Sequence, residues 1–442
     1  MAPSDRPNPM NQNDPSDNLI RRAGYNLSFK SLTLVILQGL SFFFYVALAR
    51  YLGEEDFGRY SVVYSVGAIL VILVDPGLNQ LTIREISRDH TRTEILANAV
   101  FALKIGASVL ILTLIWVVVP WIPAWSTLTD FVFLMTLSLV FLAFLEFFSS
   151  LFNAYERMHV ETGFLGITKL VVVSGSVLSL YLGAGLKSLL IVMAGLHLLG
   201  VVFSYLTTRS RITPLILSWD FSLFRKTLAE AFPMVLTMVF IVILYRIDVI
   251  MLSLFSVGDG PIGNYAASVK IMDVLMAFSV IFMAAIFPVL AWTFLQAVDP
   301  FLRYFWQGFG ILLVLSVTLV IAITLLSDTV IRFIFGNTFQ ESGPVLRVLL
   351  LALPFSFLRH FLLNVLVVFN LQRKNAWATG LAAVGNIGLN LILIPLWGIY
   401  GAAVATVLTD LGLFCGVFVL SLLEIRKYKR GEISFEVPKN EP

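Results

Sequence analysis

One cysteine, Cys415, stands in 442 residues, and it falls in an apolar run. No disulfide framework holds such a chain together, and no cysteine-based metal pattern is present. Histidine is nearly as scarce, and the four residues His90, His159, His197 and His360 show no metal-ligand spacing. Charge is the third shortage. Only 13% of residues are charged while 58% are hydrophobic, too little polar surface for a water-soluble protein of this length. The net charge of +3 comes from basic residues scattered through short segments. A massed basic face for nucleic acid is therefore not expected. No cleavable signal peptide is read at the start. The opening MAPSDRPNPMNQNDPSDN is rich in Pro, Asn and Asp, and a disordered tail is expected over 1–17.

Apolar runs are what the chain has in abundance, each near the ~20 residues that cross a ~30 Å hydrocarbon core. Twelve spans are expected, at roughly 28–49, 60–79, 95–119, 129–152, 163–183, 187–207, 231–255, 262–292, 303–326, 343–370, 376–395 and 400–423. The expected fold is thus an all-α polytopic membrane protein. Just before the first run, DNLIRRAGYNLSFK has apolar and basic faces and suits the inner membrane surface. An even number of spans puts both termini on one side. Of the 30 Lys and Arg, only Arg50, Arg59, Lys187 and Arg332 fall between spans on the other side. Basic loops mark the cytoplasmic face, so both ends are expected inside, in the plasma (inner) membrane.

The two halves resemble each other. FGRYSVVYSV at Phe57 parallels IGNYAASVKI at Ile262, an offset of 205. FNAYERM at Phe152 parallels FNLQRK at Phe369, an offset of 217, and the order of matches is preserved. Six spans per repeat is even, so two lobes of like orientation are expected, related by a pseudo-twofold axis along the membrane normal. The expected organisation is a tail over 1–17, an N-terminal six-helix lobe over 18–215, a C-terminal six-helix lobe over 216–425 and a basic cytoplasmic tail over 426–442. Two lobes facing each other form a cleft that opens to either side, which is transporter architecture.

Particular residues carry a family resemblance. ARYLGEEDFGRYSVVYSV and VDPGLNQLTIREISR resemble the first hairpin of the polysaccharide biosynthesis, or oligosaccharide flippase, family. YRIDVIMLSLFSVGDGPIGNYAASVKIMDVL, FGNTFQESGPVLRVLLLALP and GNIGLNLILIPLWGIYGAAVATVLTD resemble its second lobe in order and spacing. That family shares a superfamily with the multidrug (MATE) exporters and the lipid II flippases. The resemblance implies flipping of a polyprenyl-pyrophosphate-linked oligosaccharide from the cytoplasmic to the outer leaflet. It also implies basic residues in a central cavity that meet the pyrophosphate and acidic sugars. Membrane lipid, a polysaccharide polymerase and glycosyltransferases are the partners it suggests.

Charges inside spans are the candidate site. Each costs at least ~2.5–3.5 kcal/mol at mid-membrane, so it persists where it meets water, a partner or a substrate. In YRIDVIML, Arg246 and Asp248 are two residues apart, about 200° round a helix, so they point to opposite faces. Tyr245 shares a face with Asp248 and is a plausible partner for it, as is Lys270 in the next span. Arg246 lies roughly 22 Å from the inner end of its span at ~1.5 Å per residue, and Lys270 comes to similar depth. Asp273 shares a face with Lys270. With the 205 offset, Arg246, Asp248, Lys270 and Asp273 correspond to Ser41, Phe43, Ser65 and Ala68, so the hairpin folds without the charges. An interlocking salt-bridge set is the structural alternative to a cavity lining.

In ALPFSFLRHFLLN, Pro354 is expected to kink the span, and Ser356, His360 and Asn364 form one polar stripe beside Arg359. The 217 offset pairs Arg359 with Leu142, one turn from Glu146. The expected anionic-headgroup set is Arg246, Lys270, Arg359 and His360. The expected coupling candidates for H⁺ or Na⁺ are Asp248, Asp273 and Glu146, with no other cofactor. Asn386 and Asn390 read as cross-helix hydrogen-bonding residues, and Asp410 has no evident partner. Arg84, Arg88 and Arg92 fit the topology and offer a first contact for a headgroup.

Two alternatives remain open. A MATE-like cation-coupled exporter calls for a carboxylate-dominated cavity, whereas here the intramembrane bases at least balance the acids. A membrane-bound glycan polymerase or ligase calls for catalytic groups on a sizeable outer loop. The longest outer segment, LSDTVIRFIFGNTFQE, holds no paired-carboxylate or nucleophile–base constellation, so no enzyme is expected.

Overall fold

The computed structural model describes residues 15–217 and 221–432. These are 88% helical, without a strand among them. In order the helices are α1 (Pro15–Val71), α2 (Leu78–Arg88), α3 (Thr93–Val118), α4 (Thr129–Ala154), α5 (Met158–Tyr181), α6 (Leu186–Arg211), α7 (Phe221–Leu254), α8 (Asp259–Gln296), α9 (Val298–Phe335), α10 (Ser342–Leu350), α11 (Leu353–Val368), α12 (Gln372–Trp397) and α13 (Ile399–Lys429). Of the expected disordered tail over 1–17, residues 1–14 lie outside the described residues and 15–17 begin α1; of the expected basic tail over 426–442, the part beyond 432 also lies outside them. So do the side chains of the expected surface-lying segment before the first span.

Apolar content makes the helices and lipid accounts for their exposure. The most apolar window of α9 has a mean hydropathy of 2.8, yet only 11% of it is buried. A helix this apolar exposes that face only to hydrocarbon, where backbone groups must also be satisfied within the helix. Among the described residues eight helices are long and apolar enough to cross a membrane, or nine with α10 and α11 taken as one span bent by 47°. The bend falls at Leu351 and Ala352, just ahead of Pro354 in the first turn of α11, as the proline requires. The expected spans 28–49, 60–79 and 231–255 fall on α1 and α7, outside that set of nine.

The repeat is visible in the backbone. Gly53 breaks α1 at φ 74°, and Gly258, 205 residues on, precedes α8 at φ 106°. Both occupy the left-handed side of backbone space that glycine enters without a Cβ penalty. Within the N-terminal half α4 packs on α6, α5, α3 and α2, and within the C-terminal half α12 and α11 pack on α13. The second part of α1 crosses α8 and joins the halves.

That crossing is reciprocal. A Cβ built on Gly58 would run into the Asp259 carbonyl, and one built on Gly263 would run into the Glu54 carbonyl. Arg59 Nε donates to Asp259 Oδ2 at 2.7 Å, and Asn264 Nδ2 donates to Glu54 Oε2 at 2.6 Å. The three position pairs 54/259, 58/263 and 59/264 all differ by 205. Each contact thus occurs twice, exchanged about the pseudo-twofold axis as in an isologous interface. Asn264 is held in turn: its Oδ1 accepts from the Ser342 amide at 3.0 Å, fixing α10 beside α8.

Candidate functional site

Beside that crossing a cavity open to its surroundings lies between α1 and the C-terminal helices α7, α8, α10, α11, α12 and α13. From α1 come Tyr45, Tyr60, Ser61, Tyr64 and Ser65; the lining charges all come from the C-terminal half. They are Arg246 and Asp248 of α7, Lys270 and Asp273 of α8, Arg359 of α11 and Asp410 of α13.

Helix geometry splits Arg246 from Asp248 as the two-residue spacing predicts. Arg246 lies over the Tyr64 ring, 4.8 Å from its centroid, on the α1 side. Asp248 turns the other way. Its Oδ2 accepts from Tyr265 Oη at 2.8 Å and from Thr406 Oγ1 at 2.8 Å, and its Oδ1 accepts from Asn390 Nδ2 at 2.6 Å. The expectation that Tyr245 or Lys270 partners Asp248 is therefore corrected. Three neutral donors from α8, α12 and α13 hold the carboxylate, and Tyr245, 52% exposed, lies within electrostatic reach of Arg359 instead.

Lys270 pairs along its own helix with Asp273, Nζ to Oδ2 at 2.9 Å. Its Nζ also sits 4.2 Å from the centroid of Tyr45. Asp410, without a visible partner in the sequence, has two in the structure. Arg359 Nε lies 3.3 Å from Asp410 Oδ1, without the alignment of a hydrogen bond, and Ser356 Oγ donates to Oδ2. Asn386 and Asn390 bridge helices as expected, with Asn386 Nδ2 donating to Thr409 Oγ1 at 3.2 Å.

Two expected site residues lie elsewhere. His360 is one residue from Arg359, but its side chain is turned away from the lining, and its Nδ1 lies 3.0 Å from Ser279 Oγ. Asn364 donates to the His360 carbonyl, so of the polar stripe only Ser356, on Asp410, reaches the lining. Glu146 belongs to a separate cluster in the N-terminal half. There Lys104, 0% exposed, reaches Asp75 Oδ2 at 3.2 Å and the Ala143 carbonyl at 3.1 Å. Glu146 stands exposed within electrostatic reach of both Lys104 and Asp75. Arg84, Arg88 and Arg92 converge on one carboxylate, that of Glu85, at 3.0, 3.8 and 3.5 Å.

The tyrosines of α1 went unread in the sequence. Tyr60 and Tyr64 stack at 6.1 Å, and Tyr45 meets Tyr60 edge-on at 6.1 Å. The signal was present: Tyr60 and Tyr265 occupy equivalent positions of the repeat, one in this cluster and the other on Asp248. Among the described residues no group of three His, Cys, Asp or Glu comes together to hold a metal ion.

A family model described as polysaccharide biosynthesis protein matches residues 24–294. No curated protein matches the sequence. Solved structures do match the fold. The lipid II flippase MurJ in an inward closed conformation superposes with a TM-score of 0.70 at 16% identity, over 92% of this chain and 93% of that one. An inward-facing multidrug resistance MATE transporter of the MOP superfamily gives 0.68 at 14% identity, over 90% and 96%. A MOP superfamily transporter from Pyrococcus furiosus gives 0.62 at 12% identity, over 91% and 96%.

Proposed function

The chain belongs to the polysaccharide biosynthesis protein family, and we propose that it carries a polyprenyl-pyrophosphate-linked oligosaccharide across the membrane by alternating access. It is a multi-pass membrane transporter by family and fold. On this reading the chain makes twelve spans with both termini in the cytoplasm and moves its cargo from the inner leaflet to the outer one. The inner membrane of a cell that builds surface polysaccharide is its site, with glycosyltransferases before it and a polymerase after it. The headgroup passes between the halves while the polyprenyl tail stays in lipid.

Arg246 supports this reading most directly. Among the described residues it is the one lining cation without an ion-pair partner, since Lys270 and Arg359 hold Asp273 and Asp410. A guanidinium half-buried on a tyrosine ring presents its donor edge to a phosphate, where its fork geometry gives paired, charge-assisted hydrogen bonds. A drug exporter for cations has less use for it. Replacement tests the reading: Arg246→Ala cuts surface polysaccharide export by roughly tenfold or more at unchanged protein level, with Arg246→Lys intermediate. Full export by Arg246→Ala overturns it.

The coupling ion binds, on this reading, at Asp248. Carboxylate, hydroxyl and amide oxygens of Asp248, Thr406, Asn386 and Asn390 gather there, and Asn390 Oδ1 is buried without a hydrogen-bond partner. Such an oxygen-rich group suits a proton or Na⁺.

A further inference from the structure

The cavity's charges divide into committed and available ones, and the division restricts the cargo. Three lining cations face three lining carboxylates among the described residues. Lys270 is engaged twice, by Asp273 at 2.9 Å and by the Tyr45 ring at 4.2 Å. Arg359 and Asp410 are close in space, and their side chains are only 9% and 11% exposed. Asp248 is turned away from Arg246 and engaged by Tyr265, Thr406 and Asn390. What an incoming headgroup meets is therefore the guanidinium of Arg246, seated on the Tyr64 ring and within electrostatic reach of Asp273 but in no ion pair among the described residues, and one open carboxylate, Asp273, whose side chain is 39% exposed. Only Oδ2 of Asp273 is taken by Lys270, so Oδ1 remains to accept hydrogen bonds.

We infer that the glycan moved through this cavity is uncharged or amine-bearing, with the pyrophosphate as its anion, and that Asp273 selects against acidic sugars. The inference rests on the flippase reading and names the substrate class of the same site. A sugar hydroxyl donates to the free Asp273 oxygen in a charge-assisted hydrogen bond. A uronic carboxylate at the same place meets a like charge, with the nearest ammonium already neutralised. In a partly desolvated site one like-charge contact lowers affinity by roughly tenfold or more. Basic residues in a cavity of this family suggest a welcome for acidic sugars. Here the acids that accompany the bases remove that welcome beyond the first phosphate.

A structural role is the competing explanation, because Lys270 and Asp273 are also a three-apart helix pair. Binding to the full-length protein in lipid nanodiscs separates the two. The probes are two polyprenyl-pyrophosphate disaccharides, identical except that the terminal sugar is galactose in one and galacturonic acid in the other. In the unmodified protein the galacturonic probe binds roughly tenfold or more weaker. In Asp273→Asn the galactose probe weakens a few-fold, the galacturonic probe strengthens, and the discrimination collapses. Equal binding of both probes to the unmodified protein overturns the inference and leaves the flippase reading standing. Parallel loss of both probes in Asp273→Asn assigns the residue a structural role and overturns the inference as well. If neither probe binds the unmodified protein, the flippase reading falls and takes this inference with it.

Discussion

Gly58 and Gly263 lie backbone against backbone where α1 crosses α8, each next to a carbonyl four residues upstream of the other. The contact leaves no room for a methyl group on either side, and it lies one helical turn or less from the cavity residues Tyr60 and Tyr265. Its two members are equivalent positions of the repeat, so neither half contributes more than the other.

A bulky residue at that crossing forces the halves apart. Gly58→Val or Gly263→Val is expected to cost about 1–3 kcal/mol of the closed arrangement through overpacking. With Cys415 replaced by serine and a reporter cysteine at Ser65, a membrane-impermeant maleimide applied from outside labels the valine variants faster. Unchanged labelling rates would show that the crossing is not the outer closure.

The flanking polar contacts give a reversible form of the same test. Asn264→Asp replaces a donor to Glu54, now at 2.6 Å, by a second carboxylate. The closed state loses about 2 kcal/mol from the missing bond and the repulsion. Adding Glu54→Gln restores a donor across the gap and recovers most of the loss. Additive effects in this double-mutant cycle, with no recovery, contradict a direct contact.

Lys104 is the stability prediction. It is wholly buried between Asp75 and the Ala143 carbonyl, so Lys104→Met strands a carboxylate inside the helix bundle. Breaking a buried pair from one side costs ~3–5 kcal/mol, whereas removing both members is often close to neutral. Thermal unfolding in detergent should show a large drop for Lys104→Met and a return toward the starting value for Lys104→Met with Asp75→Asn. Equal midpoints for all three proteins refute the assignment.

Coupling is read most directly in proteoliposomes. Asp248→Asn keeps the shape of the cluster on Tyr265, Asn390 and Thr406 but removes its charge. Flipping by this variant is expected to proceed without response to an imposed Na⁺ or proton gradient. A gradient response equal to that of the unmodified protein places the coupling ion elsewhere.

What was legible in the sequence were the relations that hold within one helix or one repeat. The opposed directions of Arg246 and Asp248 follow from a two-residue step and the shared face of Lys270 and Asp273 from a three-residue one, although the ion pair expected for Lys270 was with Asp248. The 205 offset anticipated that Gly53 and Gly258, and Gly58 and Gly263, are equivalent. Relations between helices were not legible. Asp248 finds Asn390 142 residues away and Thr406 158 residues away, and no local pattern encodes that convergence. Arg359 and Asp410 come together for the same reason, one helix packing on another. The polar stripe says that partners exist but not which ones, since Ser356 meets Asp410 in the lining while His360 meets Ser279.

The reciprocal crossing of α1 and α8 is the geometry of a symmetric dimer, but its two subunits are joined in a single chain. Two identical subunits would place every cavity charge twice, once on each side of the axis. Fusion lifts that restriction. The halves still match at Gly58 and Gly263, where closure depends on shape, and they differ where Arg246 faces the tyrosines of α1 while its counterpart is Ser41. One polypeptide can therefore keep a dimer's self-complementary crossing while giving its cavity a polarity, with every lining cation and acid on the C-terminal wall and the Tyr45, Tyr60 and Tyr64 cluster on the α1 wall.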